Sequence, residues 1–413
     1  MKILLYSINY APEVTSTGKY TGEMGQWLAE RGHEVRVVTA PPYYPAWQVG
    51  EGYSTREYRR EHIRGMDISR CPLWVPSQPT GTKRLLHLMS FVASSLPVML
   101  RRAFWSPDVV VSVVPPLFAA PSAWLVARLC GVGLWLHIQD FELDAATGLG
   151  MLGKGRLSRV LQEIEEILLR SATRVSTITE TMRRRAVQKG AMERNTRLFP
   201  NWSDVTFIRP MSRDNEVRHE FGASLDDVLV MYAGNMGEKQ GLELVLEAAD
   251  RLRKRPRIRF VLVGDGAARR KLERTVKERT LDNVSFFPVQ PLERLPRMLA
   301  AGDVHLVVQR REAADLVMPS KLTNILAAGR PAVATAEPGT ALYDVIMDND
   351  CGVTTAPGDV EELVAGIVAL SENPPLREQL GRNARHYAEA YLDHDKILSR
   401  FESELRQLTR SKV

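Results

Sequence analysis

Short runs rich in Val, Ile and Leu alternate with helical patterns along this chain, stop, and then begin again. The first series lies at 2–8, 34–40, 108–114, 133–138, 174–179 and 196–200. Helical stretches such as 22–31, which ends at Gly32, separate its members. The second series lies at 228–234, 259–266, 284–290, 304–309, 331–336 and 351–357, with helices such as 242–252 and 269–279 between. Runs that are apolar throughout imply strands buried on both faces, the condition of a parallel sheet covered by helices. Strand–helix repetition of this kind predicts an α/β fold.

The restart follows a turn-rich segment, Phe199-Pro200-Asn201-Trp202-Ser203-Asp204, which suits a linker. At 413 residues the chain also exceeds one ordinary core. Two doubly wound Rossmann-like domains are therefore expected, at 1–205 and 206–375. Residues 376–413 form a long, charged helical pattern that either packs on its own domain or crosses back to the first. Ligands of such sheets bind beyond the carboxyl ends of the strands. Two parallel sheets facing a central cleft would place the site there, so the strand-end loops are the segments to search.

An apolar content of 44% and a charged content of 25% are those of a soluble globular protein. The net charge of +6 fits anionic substrates, acidic lipid headgroups or nucleic acid. No long basic run exists, which argues against a nucleic-acid arm. Cys71, Cys130 and Cys351 follow no metal spacing and read as reduced thiols of a cytoplasmic protein. The apolar N-terminal run turns polar at Asn9, too soon for a signal peptide, and reads as a first strand. No uninterrupted apolar stretch approaches the ~18 residues of a spanning helix.

Two loops of the second half suit a diphosphate. Pro319-Ser320-Lys321 opens a helix that ends near Gly329. Ser320 is expected to cap it, its free N–H groups make an anion site, and Lys321 adds a mobile cation. Gly234-Asn235-Met236-Gly237-Glu238-Lys239-Gln240-Gly241 is a second candidate cradle, with glycine-freed N–H groups and Lys239 beside them. Gly264, in a further strand-end turn, either touches a nucleotide or merely turns the chain.

The first half offers a different set. The long loop 9–22 holds Gly18 and Lys19 near a helix start, and reads either as a ligand loop or as a surface loop. It has neither the Gly-x-Gly-x-x-Gly of a dinucleotide site nor a Walker ending. His137-Ile138-Gln139-Asp140-Phe141-Glu142 ends a strand. Asp140 and Glu142 are candidate proton acceptors or sugar-hydroxyl ligands, against a solvated acidic turn; His137 competes with the reading of a core histidine. Tyr43, Tyr44 and Trp47 on a Pro-rich loop present rings for stacking on sugars, or pack. Residues 83–105 are apolar, with flanking cations and aromatics, and suit either a membrane interface or a buried helix. The Asp-x-Asp triplets at 348–350 and 393–395 end no strand and are discounted as metal sites.

Taken together, the Pro12–Gly22 loop, the His137–Asp140 strand end, the Phe199–Asp204 segment, the Gly234–Gly241 loop and the Pro319–Pro331 helix resemble bacterial family 4 glycosyltransferases of the GT-B fold. The resemblance spans the whole chain. It implies a retaining, metal-independent transfer from a nucleotide-sugar, with GDP-fucose as donor. The implied acceptor is a polyprenyl-diphosphate-linked glycan at the inner face of the cytoplasmic membrane, to which the protein would attach peripherally. No cofactor is implied. Gly18 and Lys19 fall near the donor phosphate, and the family's diphosphate-gripping Arg/Lys pair falls on Asn235 and Lys239. Its paired glutamates fall on Leu316 and Asn324, and its cleft His on Gln139. Four usual side chains are thus replaced, so Lys321 is expected to stand in for the missing Arg, and Asn324 to meet a ribose. A UDP-sugar transferase, a nucleotide-sugar epimerase and a non-catalytic scaffold are the alternatives.

Overall fold

A computed structural model of the chain describes residues 1–13, 16–77, 81–141, 143–144, 155–311 and 319–410. The chain divides into two compact units. Unit 1 comprises Met1–Pro200 and Ile397–Val413, and unit 2 comprises Asn201–Lys396.

The sheet of unit 1 is formed by β1 (Lys2–Tyr6), β2 (Glu34–Thr39), β3 (Arg59–Ile63), β4 (Met66–Arg70), β5 (Val109–Val114), β6 (Gly133–Ile138), β7 (Arg174–Thr177) and β8 (Thr196–Leu198). Their order is β3-β4-β2-β1-β5-β6-β7-β8. The most apolar segments take the middle: every residue of β5 is buried. Helices α1 (Ser16–Glu30) and α2 (Gly81–Ala103) follow β1 and β4. The expectation of a wholly parallel sheet is corrected at one edge, where β3 runs antiparallel to β4. Arg64 and Gly65, both at positive φ, make the tight turn between them. The charged sequence of β3, exposed along most of its length, suits an edge and hides the strand from an apolar search.

The sheet of unit 2 contains β9 (Val228–Ala233), β10 (Ile258–Val263), β11 (Val284–Phe287), β12 (Val304–Val307), β13 (Ala332–Thr335) and β14 (Gly352–Thr355). Its order is β11-β10-β9-β12-β13-β14, with all pairs parallel. The 199–204 segment is no solvated linker. Trp202 and Ser203 are buried, and Ser203 exchanges backbone hydrogen bonds with Leu392 and His394 within unit 2.

Residues up to Lys396 belong with unit 2, whereas the helix His394–Arg410 returns to unit 1 from Ile397 on. There Phe401 stacks on Phe199 and meets Trp135 edge-on. Glu402 accepts from Arg406, Arg31 and His33 at 2.6–2.9 Å. Burial opposes its ionisation, but these hydrogen bonds outweigh that and hold the carboxyl down at about 2. An apolar stack and a buried charge cluster thus fix the chain's last helix to its first domain.

Candidate active site

In unit 2 the loop after β9 turns sharply at Gly234, whose φ is +143°. Beside it, Gly264 (φ +146°) brings the loop after β10 so close that a Cβ there would lie 1.9 Å from Gly234 O. Of the two roles left open for Gly264, backbone packing is the one this contact supports. Met236 N donates to Asp265 O (2.8 Å), and the Tyr232 hydroxyl donates to Asn235 O (2.6 Å).

The Gly234–Gly241 loop uses most of its N–H groups on itself and on neighbouring strand ends. Its N–H groups at 234, 236, 237, 240 and 241 donate to Val263 O, Asp265 O, Gln240 Oε1, Gly237 O and Glu238 O. What it offers is the exposed side chain of Lys239, in the turn Glu238–Gln240, with no carboxylate partner among the described residues.

The Ser320–Ala327 helix corrects two further expectations. Ser320 is its first residue rather than its cap; Pro319 holds the cap position, and no side chain caps the helix. The first N–H groups of a helix have no partner inside it, so this end remains an electropositive terminus. Lys321 is not a mobile cation. Its Nζ is buried, makes no hydrogen bond among the described residues, and lies 3.7 Å from the centroid of the Tyr232 ring. A Cβ on Gly234 would come within 3.1 Å of that Nζ, so the glycine leaves the room the lysine occupies. Burial alone pulls the ammonium's pKa down to about 7. The structure thus brings Gly234, Asn235 and Lys321 together around Tyr232. Asn324 Oδ1 accepts from Ser203 Oγ at 2.9 Å, so a ribose hydroxyl would meet its amide N–H groups. Leu316 and Glu142 lie outside the described residues.

In unit 1 the loops after β2, β1 and β6 emerge at one edge, because those strands are parallel. With β5 between them, β1 and β6 are two positions apart, about 10 Å at the usual spacing. Glu13 organises the first two loops. Its Oε1 accepts from Tyr43 N and Tyr44 N at 3.0 Å, and its Oε2 from Asn9 Nδ2 at 2.9 Å. A Cβ on Gly18 would lie 2.5 Å from Oε2, so Gly18 permits α1 to pass over this carboxylate. Lys19, half-exposed, lies 3.9 Å from Glu23 Oε1.

Tyr43 is not a stacking ring for a sugar. It is 5% exposed and packs on Trp47 and His87. Tyr44, at 37%, is the ring that solvent reaches, and Trp47 is partly open. His137 is buried, with Nδ1 2.9 Å from Ser176 Oγ and Nε2 2.8 Å from Gln139 Nε2. An amide nitrogen only donates, so Nε2 accepts and Nδ1 carries the proton. Burial, opposed by the Ser176 bond, drives the imidazole down to about 3. A ring so held is neutral and positions Gln139; it takes up no second proton at neutral pH. Asp140, partly buried, follows at the strand end.

Residues 16–202 match the Glycosyl transferase 4-like domain, and residues 214–387 match Glycosyl transferases group 1. The chain is 48% identical over 413 residues to WcaI of Escherichia coli (strain K12), provisionally named a colanic acid biosynthesis glycosyl transferase. That alignment covers 98% of this chain and 100% of WcaI. This chain is a family 4-like glycosyltransferase. Its fold agrees with that of a sucrose-phosphate synthase from Thermosynechococcus elongatus, at a TM-score of 0.78 and 18% identity, each chain covered in full. It also agrees with Anabaena HepE in complex with UDP, at a TM-score of 0.74 and 16% identity, covering 98% of this chain and 100% of that one. Both are GT-B enzymes, so the glycosyltransferase has the GT-B fold.

Two residues of the glycosyltransferase escaped the sequence reading. Glu13 sits in a loop already singled out, but nothing local distinguishes a buried acid from an exposed one. Tyr232 lies within an apolar run and gains its role only when Lys321, distant in sequence, packs on its ring.

Proposed function

We propose that this glycosyltransferase moves L-fucose from GDP-fucose, with retention at the anomeric carbon, onto a polyprenyl-diphosphate-linked saccharide. The acceptor is presented at the inner face of the cytoplasmic membrane, in assembly of a colanic acid-type exopolysaccharide. The pathway is supported by the likeness to WcaI. The donor's diphosphate is supported by one observation above all: an unpartnered, buried lysine nitrogen beside a helix start and a glycine turn. A buried cation without a partner is costly, and a phosphate oxygen supplies the missing hydrogen bond and charge. The fucosyl group and the lipid carrier rest on the resemblance.

In this reading Lys239, Lys321 and the first N–H groups of the Ser320–Ala327 helix receive the diphosphate, with Pro319, Gly234, Asn235 and Gly237 shaping the loops beside it. Gln139 and Asp140 orient the acceptor hydroxyl, Lys19 supports the leaving phosphate, and Tyr44 and Trp47 contact acceptor sugar. Fixed cations and dipoles aimed at a departing diphosphate stabilise its charge in the transition state. The reading assigns no metal or other cofactor.

Thermal-shift measurements with GDP, UDP, dTDP and their sugars test the donor, since a ligand bound only by the native state raises its stability. GDP-fucose is expected to give the largest shift, and transfer to require the lipid-linked acceptor. Epimerisation without acceptor, or binding with no turnover, would refute the assignment.

A further inference from the structure

The sheet of unit 1 holds the end of β6 as far as Gln139, whose N–H donates to Val114 O at 2.9 Å. With Asp140 the chain leaves the sheet. The next described residues turn inward: Phe141 and Leu143 are both buried. Asp144 then meets the helix Glu180–Gln188 through Arg185 and Lys189.

Lys189, which follows the last turn of that helix, is the centre of the meeting. Its Nζ lies 2.7 Å from Asp144 Oδ1 and 2.6 Å from Glu165 Oε2, supplied by the helix Arg156–Ser171. The same nitrogen stands 5.5 Å from the centroid of the Phe141 ring. One ammonium therefore grips the loop on both sides. It holds the ring next to Asp140 by its cation–π attraction, and the carboxylate four residues beyond Asp140 by charge.

The grip is enclosed. The side chains of Lys189 and Glu165 are 12% and 5% exposed. Burial holds the Glu165 carboxyl above the ordinary carboxylate range, against the hydrogen bond and charge of Lys189. Arg185, the other partner of Asp144 at 3.1 Å, is 53% exposed, and a surface pair of that kind fixes little. Ions buried in this way cost desolvation, and apolar side chains of similar size commonly stabilise a fold as well or better. Two packed helices can do without such a trio. A polar loop end that must sit in one place gains from it, because a charged hydrogen bond sets both distance and direction.

We infer that Lys189 is a positioning residue for Asp140: it ties the strand-end loop at Phe141 and Asp144, so that the Asp140 carboxylate meets the acceptor hydroxyl in one place. Lys189 touches no substrate in this assignment and acts through the loop. The inference rests on the proposed role of Asp140; the tie itself does not.

Steady-state transfer with the donor identified by the thermal-shift series tests this. Lys189→Met with Glu165→Leu removes the buried ions and leaves Asp144 its Arg185. Asp144→Ala cuts only the loop's end of the tie and keeps the Lys189–Glu165 pair. Both should lower kcat by up to roughly 10²-fold, the consequence of a reacting group displaced by about 1 Å. KM for the donor, its thermal shift and the melting temperature should stay near wild type. If the double variant fails to fold, Asp144→Ala decides alone. Asp140→Asn supplies a readout that a merely structural lysine would not move. Because Lys189 acts through Asp140, adding either variant to Asp140→Asn should cost no further activity. Losses that multiply, or wild-type kcat in the folded variants beside an impaired Asp140→Asn, would overturn the proposal and leave the role of Asp140 standing. Wild-type kcat in Asp140→Asn would refute that role, and the proposal with it.

Discussion

Lys321 Nζ stands over the face of the Tyr232 ring, 3.7 Å from its centroid, and donates no hydrogen bond among the described residues. Burial lowers its pKa from 10.5 to about 7. Between these values the unfolded chain holds a proton that the folded chain has released, so this group's contribution to stability rises with pH through that window. Below about pH 7 both states are charged and the full cost of burial is felt. Lys321→Met is therefore expected to melt higher than wild type at pH 7, with a gap that narrows as pH rises towards 10.5. An anion placed at Nζ restores the charge. Binding of GDP near pH 8 should take up a proton in wild type and none in the variant, as read by calorimetry in buffers of different ionisation enthalpy.

Lys239 differs from Lys321 in being exposed and without a carboxylate partner among the described residues. Its backbone oxygen accepts from Arg310 N at 3.0 Å, a bond that alanine would keep. Lys239→Ala should leave the melting temperature unchanged and lower kcat/KM by roughly 10²–10³, the usual effect of removing one charge-stabilising donor. Steady-state kinetics beside a melting curve checks both halves. Unaltered kinetics would remove Lys239 from the diphosphate site.

Gly264→Ala should destabilise unit 2 without touching a ligand. The added methyl would meet Gly234 O at 1.9 Å, backbone against backbone, at a φ of +146° that side chains rarely adopt. A strained backbone of this kind costs on the order of 1–3 kcal/mol. Urea unfolding measures the loss. Because Gly234 also shapes the space of Lys321, the thermal shift with GDP should shrink in the same variant.

The strands that a chain search finds are those buried on both faces. β5 and β9 are apolar enough to be recognised alone, whereas β3 is a charged edge strand that β4 completes from one side. The site was legible as a set of loops, since parallel strands deliver their following loops to one edge. What side chains do there was less legible. Lys321 reads as a cation in any sequence, but its missing partner depends on Tyr232 and Gly234, which lie far back along the chain. Tyr43 reads as an exposed aromatic until His87 covers it. Asn324 reads as a free amide, and only the fold shows that Ser203, from the start of unit 2, donates to its oxygen.

Glu13 provides the sharpest test of unit 1. Its carboxylate is the acceptor for Tyr43 N, Tyr44 N and Asn9 Nδ2. Burial holds its pKa above the usual carboxylate range, and the hydrogen bonds from Tyr43, Tyr44 and Asn9, with the charge of Arg70, only partly offset this. Glu13→Ala strands two backbone N–H groups, and each buried orphan costs about 1–3 kcal/mol. Glu13→Gln should fall between that variant and wild type. Its amide oxygen can still receive the two N–H groups, but its NH₂ then faces the Asn9 amide, donor to donor. The order of melting temperatures is expected to be wild type, Gln, Ala. Because the same carboxylate joins the Asn9–Glu13 loop, which leads into α1 with its Gly18 and Lys19, to the Tyr43–Tyr44 loop, kcat/KM for transfer should fall in that order too, while the GDP thermal shift, a property of unit 2, stays constant. A GDP shift that falls with the melting temperature would mean that Glu13 acts on donor binding as well.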